Sequence, residues 1–426
     1  MSTRKAVAVT ATLAIATVGL TACSSQQGAA DSSIALWTHN GGNKEELSVV
    51  EEAVAEYNST HPDMPIEVTA FPQASYNDSI VSAAASSDLP CILDLDGPIM
   101  PNWAWSGYLS PLQLPEEVTA DLLDSTKGIY NGELYSVGPY DVALAFIGRK
   151  SALEEHNIRI PDVDTPWTLE EFNDALEKLS TDENYENAID MSVWDKAEWW
   201  PYAYAPMLQS FGADLIDRSD FSTAEGVINS PEAVKFGEWF QSVFDNGWAS
   251  RTPTEGGNDF LQGKVPLVYA GSWKVLEAQE QFGEDDVVIL PPVDFGAGAH
   301  VGGGSWQWGI SSSCANPEAA NEFLSLIMSD KYLVKYSDAS GPFPARASAL
   351  PQTKYYKEGG PLEPFFTISE KYALLRPATP GYAVISSVFD KATRDIMSGA
   401  DVKATLDQAA KDIDADITAN NGYALP

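Results

Sequence analysis

The chain has 426 residues, 44% of them hydrophobic and 11% aromatic, and its formal net charge at pH 7 is −36. This length and apolar content suit a globular protein with two domains and exclude a mainly disordered chain. The negative charge argues against nucleic acid and other polyanions as ligands, because the summed field of the protein repels them.

The first residues have the pattern of an export signal. Arg4 and Lys5 precede an apolar stretch at residues 6–20, and small residues then precede Cys23. This order resembles a bacterial lipoprotein signal, in which residues 1–22 are a signal peptide and Cys23 is acylated. An uncleaved membrane anchor is the less favoured alternative, because a span needs about 20 apolar residues.

The residues after this signal predict a lipid-anchored protein. Residues 23–33 are rich in Ser, Gln, Gly and Ala and are predicted to form a flexible tether. The folded part would then lie at the extracytoplasmic face of the bacterial cell membrane, held there only by the lipid.

Strands and helices alternate in the first part of the folded region. Apolar runs and helical spacing predict them, in alternating order starting with a strand, at residues 34–37, 43–57, 66–71, 76–85 and 91–95. This alternation predicts an α/β fold with a parallel sheet and right-handed crossovers.

Polar side chains follow the first and third of these strands, at the carboxyl ends where such sheets bind ligands. His39 and Asn40 follow the first strand, and Asp96 follows the third. A lone histidine is more often structural than functional, but this position favours a binding role. Asp96 can accept hydrogen bonds from two hydroxyl groups. Asp94 and Asp96 could instead form a metal pair, but no third ligand is close in sequence, so no metal site is predicted.

Tryptophan residues concentrate later in the chain. Residues 194–202 contain four aromatic side chains, and we expect at least one of them, with Trp200 and Tyr202 as candidates, to line a cleft; core packing at the base of a loop is the alternative. A corner at residues 271–273 ends in Trp273, and a glycine triplet precedes a strand that carries Trp306 and Trp308 on one face. Two such corners beside glycines indicate a cleft.

These corners belong to a longer pattern. It runs Phe260-x-x-Gly263-Lys264, then Gly271-x-Trp273, then Gly-Gly-Gly-x-Trp at 302–306 and Asn-Pro-Glu-Ala-Ala at 316–320. The pattern resembles the extracellular solute-binding proteins of carbohydrate ABC importers, the family of maltose-binding protein. The first part departs from the usual form only at residues 266 and 267, and the resemblance covers nearly all of the mature chain.

The resemblance implies a two-lobed periplasmic-binding-protein fold of type II, with three crossings between the lobes. Lobe 1 would comprise residues 34–139 and 309–345, and lobe 2 residues 140–308 and 346–426. It implies a monomer that captures a neutral oligosaccharide between the lobes and delivers it to the permease subunits of an ABC importer, without a cofactor or catalysis.

The resemblance also assigns binding residues. Trp273 is the first candidate for stacking on a sugar, Trp306 is the next, and Tyr382 occupies a position where the family often has another aromatic ring. Tyr140 and Asp141, at the predicted first crossing, are polar candidates. Flat rings suit the apolar C–H faces of sugars, and charged or amide groups suit the hydroxyls.

Two other classes of function stay open at this point. A secreted glycoside hydrolase would also use carboxylates and tryptophans, but the sequence has no nucleophile elbow or His-Glu-x-x-His motif. A binder of glycerol phosphate diesters or peptides is the other alternative. A phosphate site needs clustered basic residues, and the predicted cleft loops contain few apart from Arg346 and Arg376.

Cys91 and Cys314 are predicted to form a disulfide bond. An exported chain meets an environment that permits one. The resemblance implies that the strand starting at Cys91 lies antiparallel to the strand that ends near Cys314, at the edge far from the cleft. Two buried free thiols are the alternative.

Overall fold

Two β-sheets, each with its own hydrophobic core, organise the folded part of the chain. The computed structural model describes residues 33–256, 258–304 and 306–424. Residues 1–22 of the predicted signal peptide, and Cys23 with nearly all of the predicted tether, lie outside the described residues. In the described part of the chain, no helix combines the length and hydropathy that a membrane span requires.

The strands of the described residues are short, with two to six residues each. They are β1 Ile34–Thr38, β2 Ile66–Ala70, β3 Ile92–Asp96, β4 Leu109–Ser110, β5 Lys127–Tyr130, β6 Glu133–Val137, β7 Tyr140–Asp141, β8 Leu144–Arg149, β9 Ile189–Asp190, β10 Leu267–Gly271, β11 Val287–Leu290, β12 Val301–Gly302, β13 Trp306–Ser311, β14 Phe343–Pro344 and β15 Ala373–Leu374.

The α-helices range from one turn to five. They are α1 Lys44–Thr60, α2 Gln73–Ala85, α3 Met100–Trp105, α4 Glu116–Thr119, α5 Lys150–Glu155, α6 Leu169–Ser180, α7 Trp199–Ser210, α8 Pro231–Asp245, α9 Asn258–Leu261, α10 Trp273–Phe282, α11 Pro317–Ile327, α12 Asp330–Ser340, α13 Glu363–Tyr372, α14 Tyr382–Met397 and α15 Val402–Ala419.

Several helices begin where a capping side chain satisfies a free backbone N–H group. The Asn43 side chain accepts a hydrogen bond from the Glu46 N–H group at the start of α1. Thr168 and Glu171 form a complete capping box at the start of α6, and Ser230 caps α8, which has proline as its first residue. The sequence therefore determines these starts locally.

The first sheet has the order β2-β1-β3-β13-β6-β5, and β4 also pairs with β13. β1 is parallel to both β2 and β3, as the alternating pattern predicts, while β13 runs antiparallel to β3. The carboxyl ends of β1 and β3 therefore meet the start of β13 at one edge of this sheet. Its cores include residues from helices α1, α2, α11 and α12.

The second sheet has the order β11-β8-β10-β9, with β10 antiparallel to β8 and parallel to β9. Helices α6, α7, α8, α13, α14 and α15 contribute to the core around this sheet. Because each sheet has a separate core, the chain has the two-lobed α/β architecture that the resemblance implies.

Short irregular segments connect the two sheets. β7 pairs antiparallel with β14, and Ala143 forms an isolated bridge with Gly303. We propose that the lobes join in this region. One predicted boundary needs revision, because Trp306 and Trp308 pair with β3 of the first sheet. We therefore place the second crossing before Trp306 rather than after residue 308.

Cys91 and Cys314 form a disulfide bond in this structure, with their Cα atoms 4.3 Å apart. Cys91 immediately precedes β3, and its carbonyl accepts a hydrogen bond from the N–H group of Ser311, the last residue of β13. The bond thus ties the two strands at the end opposite Asp96 and Trp306.

Candidate functional site

Three of the predicted site residues meet at the edge of the first sheet. His39 follows β1, Asp96 ends β3, and Trp306 begins β13 directly opposite Asp96 in the register. Parallel pairing of β1 with β3 brings their carboxyl ends together. The arrangement follows from the strand order, which sequence spacing alone does not reveal.

The side chains behind Trp306 form a buried polar network. The His39 ring stacks on the Trp306 ring with centroids 3.6 Å apart and an angle of 10° between the planes. The Asp94 carboxylate lies 2.7 Å from His39 Nδ1 and accepts hydrogen bonds from the Thr38 hydroxyl at 2.7 Å and the His39 N–H group at 3.1 Å. Asp94 is thus buried but well supplied with partners.

A small pocket lies beside Trp306 and has room for about one water molecule. Its lining comprises His39, Asn40, Glu46, Asp94, Pro139, Tyr140, Trp306, Gln307, Trp308 and Tyr336. The Tyr140 hydroxyl donates to the Glu46 carboxylate at 2.9 Å. Burial raises the pKa of Glu46, and nearby His39 and the Tyr140 hydrogen bond oppose that increase. Asn40 is buried, and its Oδ1 atom has no hydrogen-bond partner within the described residues.

A charged cluster connects the first sheet to the part of the protein that is built around the second sheet. We call the parts around the first and second sheets the first half and the second half. Arg376 donates to both carboxylate oxygens of Asp96, at 3.0 and 3.1 Å, and to Glu198 at 2.6 Å. Glu198 immediately precedes α7, whose residues pack in the second core. Burial raises the pKa of Glu198, Arg376 lowers it, and the negative charge of Asp96 raises it further. One guanidinium therefore binds carboxylates from both halves.

Two predicted aromatic residues adjoin this cluster. The Tyr382 hydroxyl donates to Glu198, as does the Ser386 hydroxyl at 2.6 Å. The guanidinium carbon of Arg376 lies 5.0 Å from the centroid of the Tyr202 ring. The structure thus brings Asp96, Tyr202 and Tyr382 together through Arg376 and Glu198.

Trp273 lies on the second half and is 41% exposed. Its ring lies over Gly271, where an added Cβ atom would be 2.1 Å from the ring. The Trp199 ring meets it edge-on, with centroids 6.5 Å apart and planes at 68°. We call Trp199 and Trp273 the aromatic corner. The glycine is required here because a methyl group would displace the ring.

Trp200 does not join the other candidates. It is fully buried, donates from Nε1 to the Asp195 carbonyl at 2.9 Å and packs edge-on against Tyr204. Helix α7 begins at Trp199, so the side chains of Trp199 and Trp200 project in different directions. We therefore leave Trp200 out of the candidate site as a core residue.

Asp141 accepts hydrogen bonds from backbone groups on two connecting segments. Its Oδ1 atom accepts hydrogen bonds from the Val142 and Gly304 N–H groups at 2.7 and 2.8 Å. Burial raises the pKa of Asp141, and these hydrogen bonds oppose the increase. The geometry indicates that Asp141 braces two connecting segments.

Several residues of this region escaped the sequence reasoning. The sequence presents Asp94 only as part of a possible metal pair, and Glu198 is one of 61 acidic residues without a distinguishing motif. Arg376 is distinguished in the sequence only as a basic residue of a predicted cleft loop. No group of three or more His, Cys, Asp or Glu side chains able to hold a metal occurs among the described residues.

Comparison with known sequences identifies the family of this chain. The family described as bacterial extracellular solute-binding protein matches residues 52–362. A maltotriose-binding protein from Pyrococcus abyssi is 22% identical over 320 residues, which cover 68% of this chain and 64% of that protein. An uncharacterized lipoprotein encoded in the oleD 5′ region of Streptomyces antibioticus is 24% identical over 326 residues, which cover 71% of this chain and 68% of that protein.

Solved structures share the fold. The GacH receptor of Streptomyces glaucescens superposes with a TM-score of 0.74 at 18% identity, covering 92% of this chain and 99% of that one. A maltose/maltodextrin-binding domain from Bdellovibrio bacteriovorus gives a TM-score of 0.75 at 17% identity, with 91% and 100% covered. Since the family match spans most of the sequence, the chain belongs to the bacterial extracellular solute-binding proteins.

Proposed function

We propose that this protein binds a neutral oligosaccharide between its two lobes and delivers it to the permease of an ABC importer. The observation that carries the proposal is the charged cluster, in which Arg376 binds Asp96 of the first sheet and Glu198 of the second half. Trp306 lies directly opposite Asp96 in the strand register, and exposed Trp273 belongs to the other half.

This combination suits the chemistry of a sugar. The flat faces of Trp306 and Trp273 can stack on the apolar C–H faces of sugar rings. Carboxylates and a guanidinium form strong hydrogen bonds with hydroxyl groups and direct them geometrically. Rings on both halves and charged groups that contact both halves would let one ligand contact both lobes.

The relatives support the same ligand class. One is named a maltotriose-binding protein, and solved structures of similar fold contain acarbose, maltotriose or cycloalternan. The family name supports an extracytoplasmic location. We extend this to a monomer anchored through acylated Cys23, with the permease subunits as its protein partners and no enzymatic activity.

The phosphate alternative is less consistent with the charges. Both terminal nitrogens of Arg376 bind carboxylates, and the surrounding Asp96 and Glu198 would repel a phosphodiester. The other arginine of interest, Arg346, also binds carboxylates, those of Asp121 and Asp330. A neutral ligand avoids this repulsion.

A thermal-shift and calorimetry panel tests the proposal. Maltose, maltotriose, maltotetraose and mannotriose are compared with glycerophosphocholine and a neutral tripeptide. A neutral oligosaccharide should raise the melting temperature, and at a hundred times its Kd it should add about 2.7 kcal/mol to the free energy of unfolding. Stabilisation by the phosphodiester or peptide alone would contradict the proposal, and new reducing ends would reveal a hydrolase.

A further inference from the structure

The ring of Trp306 has an unusually close aromatic neighbour. The parallel stack with His39 places the two ring centroids 3.6 Å apart, and Tyr76 meets Trp306 edge-on at 5.8 Å. Trp306 keeps part of its surface exposed, whereas His39 and Tyr76 are buried. The indole therefore has one face supported from inside the first lobe.

His39 in turn has little freedom to move. Its Nδ1 atom lies 2.7 Å from the Asp94 carboxylate, and its backbone N–H group donates to the same carboxylate. The Thr38 hydroxyl also binds Asp94, while the Tyr76 hydroxyl donates to the Asp94 carbonyl at 2.9 Å. This chain of contacts runs from the backbone of β3 through a carboxylate and an imidazole to the indole face.

We propose that His39 is a positioning residue: held by Asp94, its ring sets the plane of Trp306 for stacking against a sugar ring. The inference rests on the proposed function, because it assumes that Trp306 contacts the ligand. It changes the role expected of His39, which the sequence suggests as a direct ligand contact.

The physical reason is the entropy of binding. An indole that is free to rotate must be ordered when a ligand stacks on it, and ordering a side chain at a binding surface weakens affinity. A ring that is already fixed avoids this loss. For one side chain the loss corresponds to a change in Kd of about 2- to 10-fold, which is the effect that a positioning residue should have.

The chain provides a matched control. His61 also stacks on an aromatic ring, that of Tyr57, with centroids 4.2 Å apart and planes at 11°. It follows α1 and is not among the residues that line the pocket. His61→Ala therefore removes an imidazole stack of similar geometry from a place where no ligand is proposed.

The first measurement uses no ligand. In protein labelled with 5-fluorotryptophan, the Trp306 resonance is assigned from the Trp306→Phe variant. Wild type and His61→Ala should give one sharp Trp306 resonance. His39→Ala should shift and broaden it or split it, and His39→Phe, which restores a flat ring, should return it to a single line. Thermal melting of each variant confirms that it is folded.

The second measurement is calorimetry with maltotriose as the probe. His39→Ala should raise the Kd by about 2- to 10-fold, His39→Phe should recover most of that loss, and His61→Ala should match wild type. An unchanged Trp306 resonance in His39→Ala, or His39→Phe behaving like His39→Ala, overturns the proposal. So does an altered resonance without any change in Kd.

Failure of the proposed function would look different. In that case wild type binds neither maltotriose nor the other oligosaccharides of the panel, and the role in sugar binding is overturned together with the proposed function. The resonance of the unliganded protein then still decides whether His39 orders the indole.

Discussion

Each half of the protein has a buried aspartate in a strand of its sheet, and the two have different surroundings. Asp94 in β3 receives hydrogen bonds from Thr38 and from the backbone of His39, and its carboxylate also lies within hydrogen-bonding distance of the His39 ring. Asp190 in β9 receives one from the Ser192 N–H group, and its Oδ2 atom has no partner among the described residues. Burial raises the pKa of Asp190 to about 6. The burial of Asp94 is thus compensated by hydrogen bonds, whereas that of Asp190 is largely uncompensated.

The stacking rings show a related difference. Trp306 is supported from behind by the ring of His39, which Asp94 holds. Trp273 instead lies over the backbone of Gly271 and remains 41% exposed. A polar network positions the Trp306 ring, whereas the absence of a side chain at Gly271 makes room for the Trp273 ring. The two halves should therefore respond differently to equivalent substitutions.

The largest expected effect concerns the covalent bond of the first half. Reducing the bond between Cys91 and Cys314, which spans 223 residues, should lower the free energy of unfolding by up to about 5 kcal/mol, because the unfolded chain gains entropy. Urea unfolding with and without reductant measures this. Maltotriose affinity should not change, since the bond lies at the strand ends opposite Asp96 and Trp306.

The next largest expected effect on stability is that of replacing Asp94, and it distinguishes Asp94 from Asp190. Asp94→Asn should lower the free energy of unfolding by about 2–4 kcal/mol, because the amide cannot accept all the hydrogen bonds that the carboxylate accepts from buried donors. Urea unfolding at pH 7 measures the change. Equal stability of Asp94→Asn and wild type would show that the network does not compensate the buried charge.

The equivalent substitution in the second half should have the opposite sign. The pKa of Asp190 is raised on folding, so its ionised form disfavours the folded state: this cost is absent below about pH 4 and complete above about pH 6. Asp190→Asn should therefore increase the free energy of unfolding at pH 7 by about 1–3 kcal/mol. The gain should disappear when unfolding is measured near pH 4, and a gain that persists there would have another cause.

The smallest expected effect on stability comes from the exposed ring. Trp273→Ala should weaken maltotriose binding by about 1–3 kcal/mol while leaving the free energy of unfolding nearly unchanged, because the ring supports little of the core. Gly271→Ala should weaken binding too, since its methyl group displaces the ring. Calorimetry measures both. Wild-type affinity in either variant would remove the aromatic corner from the site.

Much of the fold was predictable because the signals are local. The caps at Asn43, Thr168 and Ser230 mark helix starts within a few residues, and alternating strands and helices indicate a parallel sheet. The glycine and tryptophan at residues 271 and 273 identify a corner for the same reason. The antiparallel return of β13 and the disulfide came from resemblance to a family rather than from spacing.

The tertiary structure decided the partners of the charged side chains and the directions of the rings. Arg376 meets Asp96 across 280 residues, and with 61 acidic residues no sequence pattern selects Asp96 and Glu198 as its partners. Trp199 and Trp200 are neighbours in sequence, but α7 begins at these residues and points their side chains in different directions. Trp200 lies in the core, whereas Trp199 contacts Trp273. Local chemistry in the sequence thus determined the helices and strands. The charge pairs of Arg376 and the stacking of His39 on Trp306 join segments that are distant in sequence, so they depend on how the helices and strands pack together.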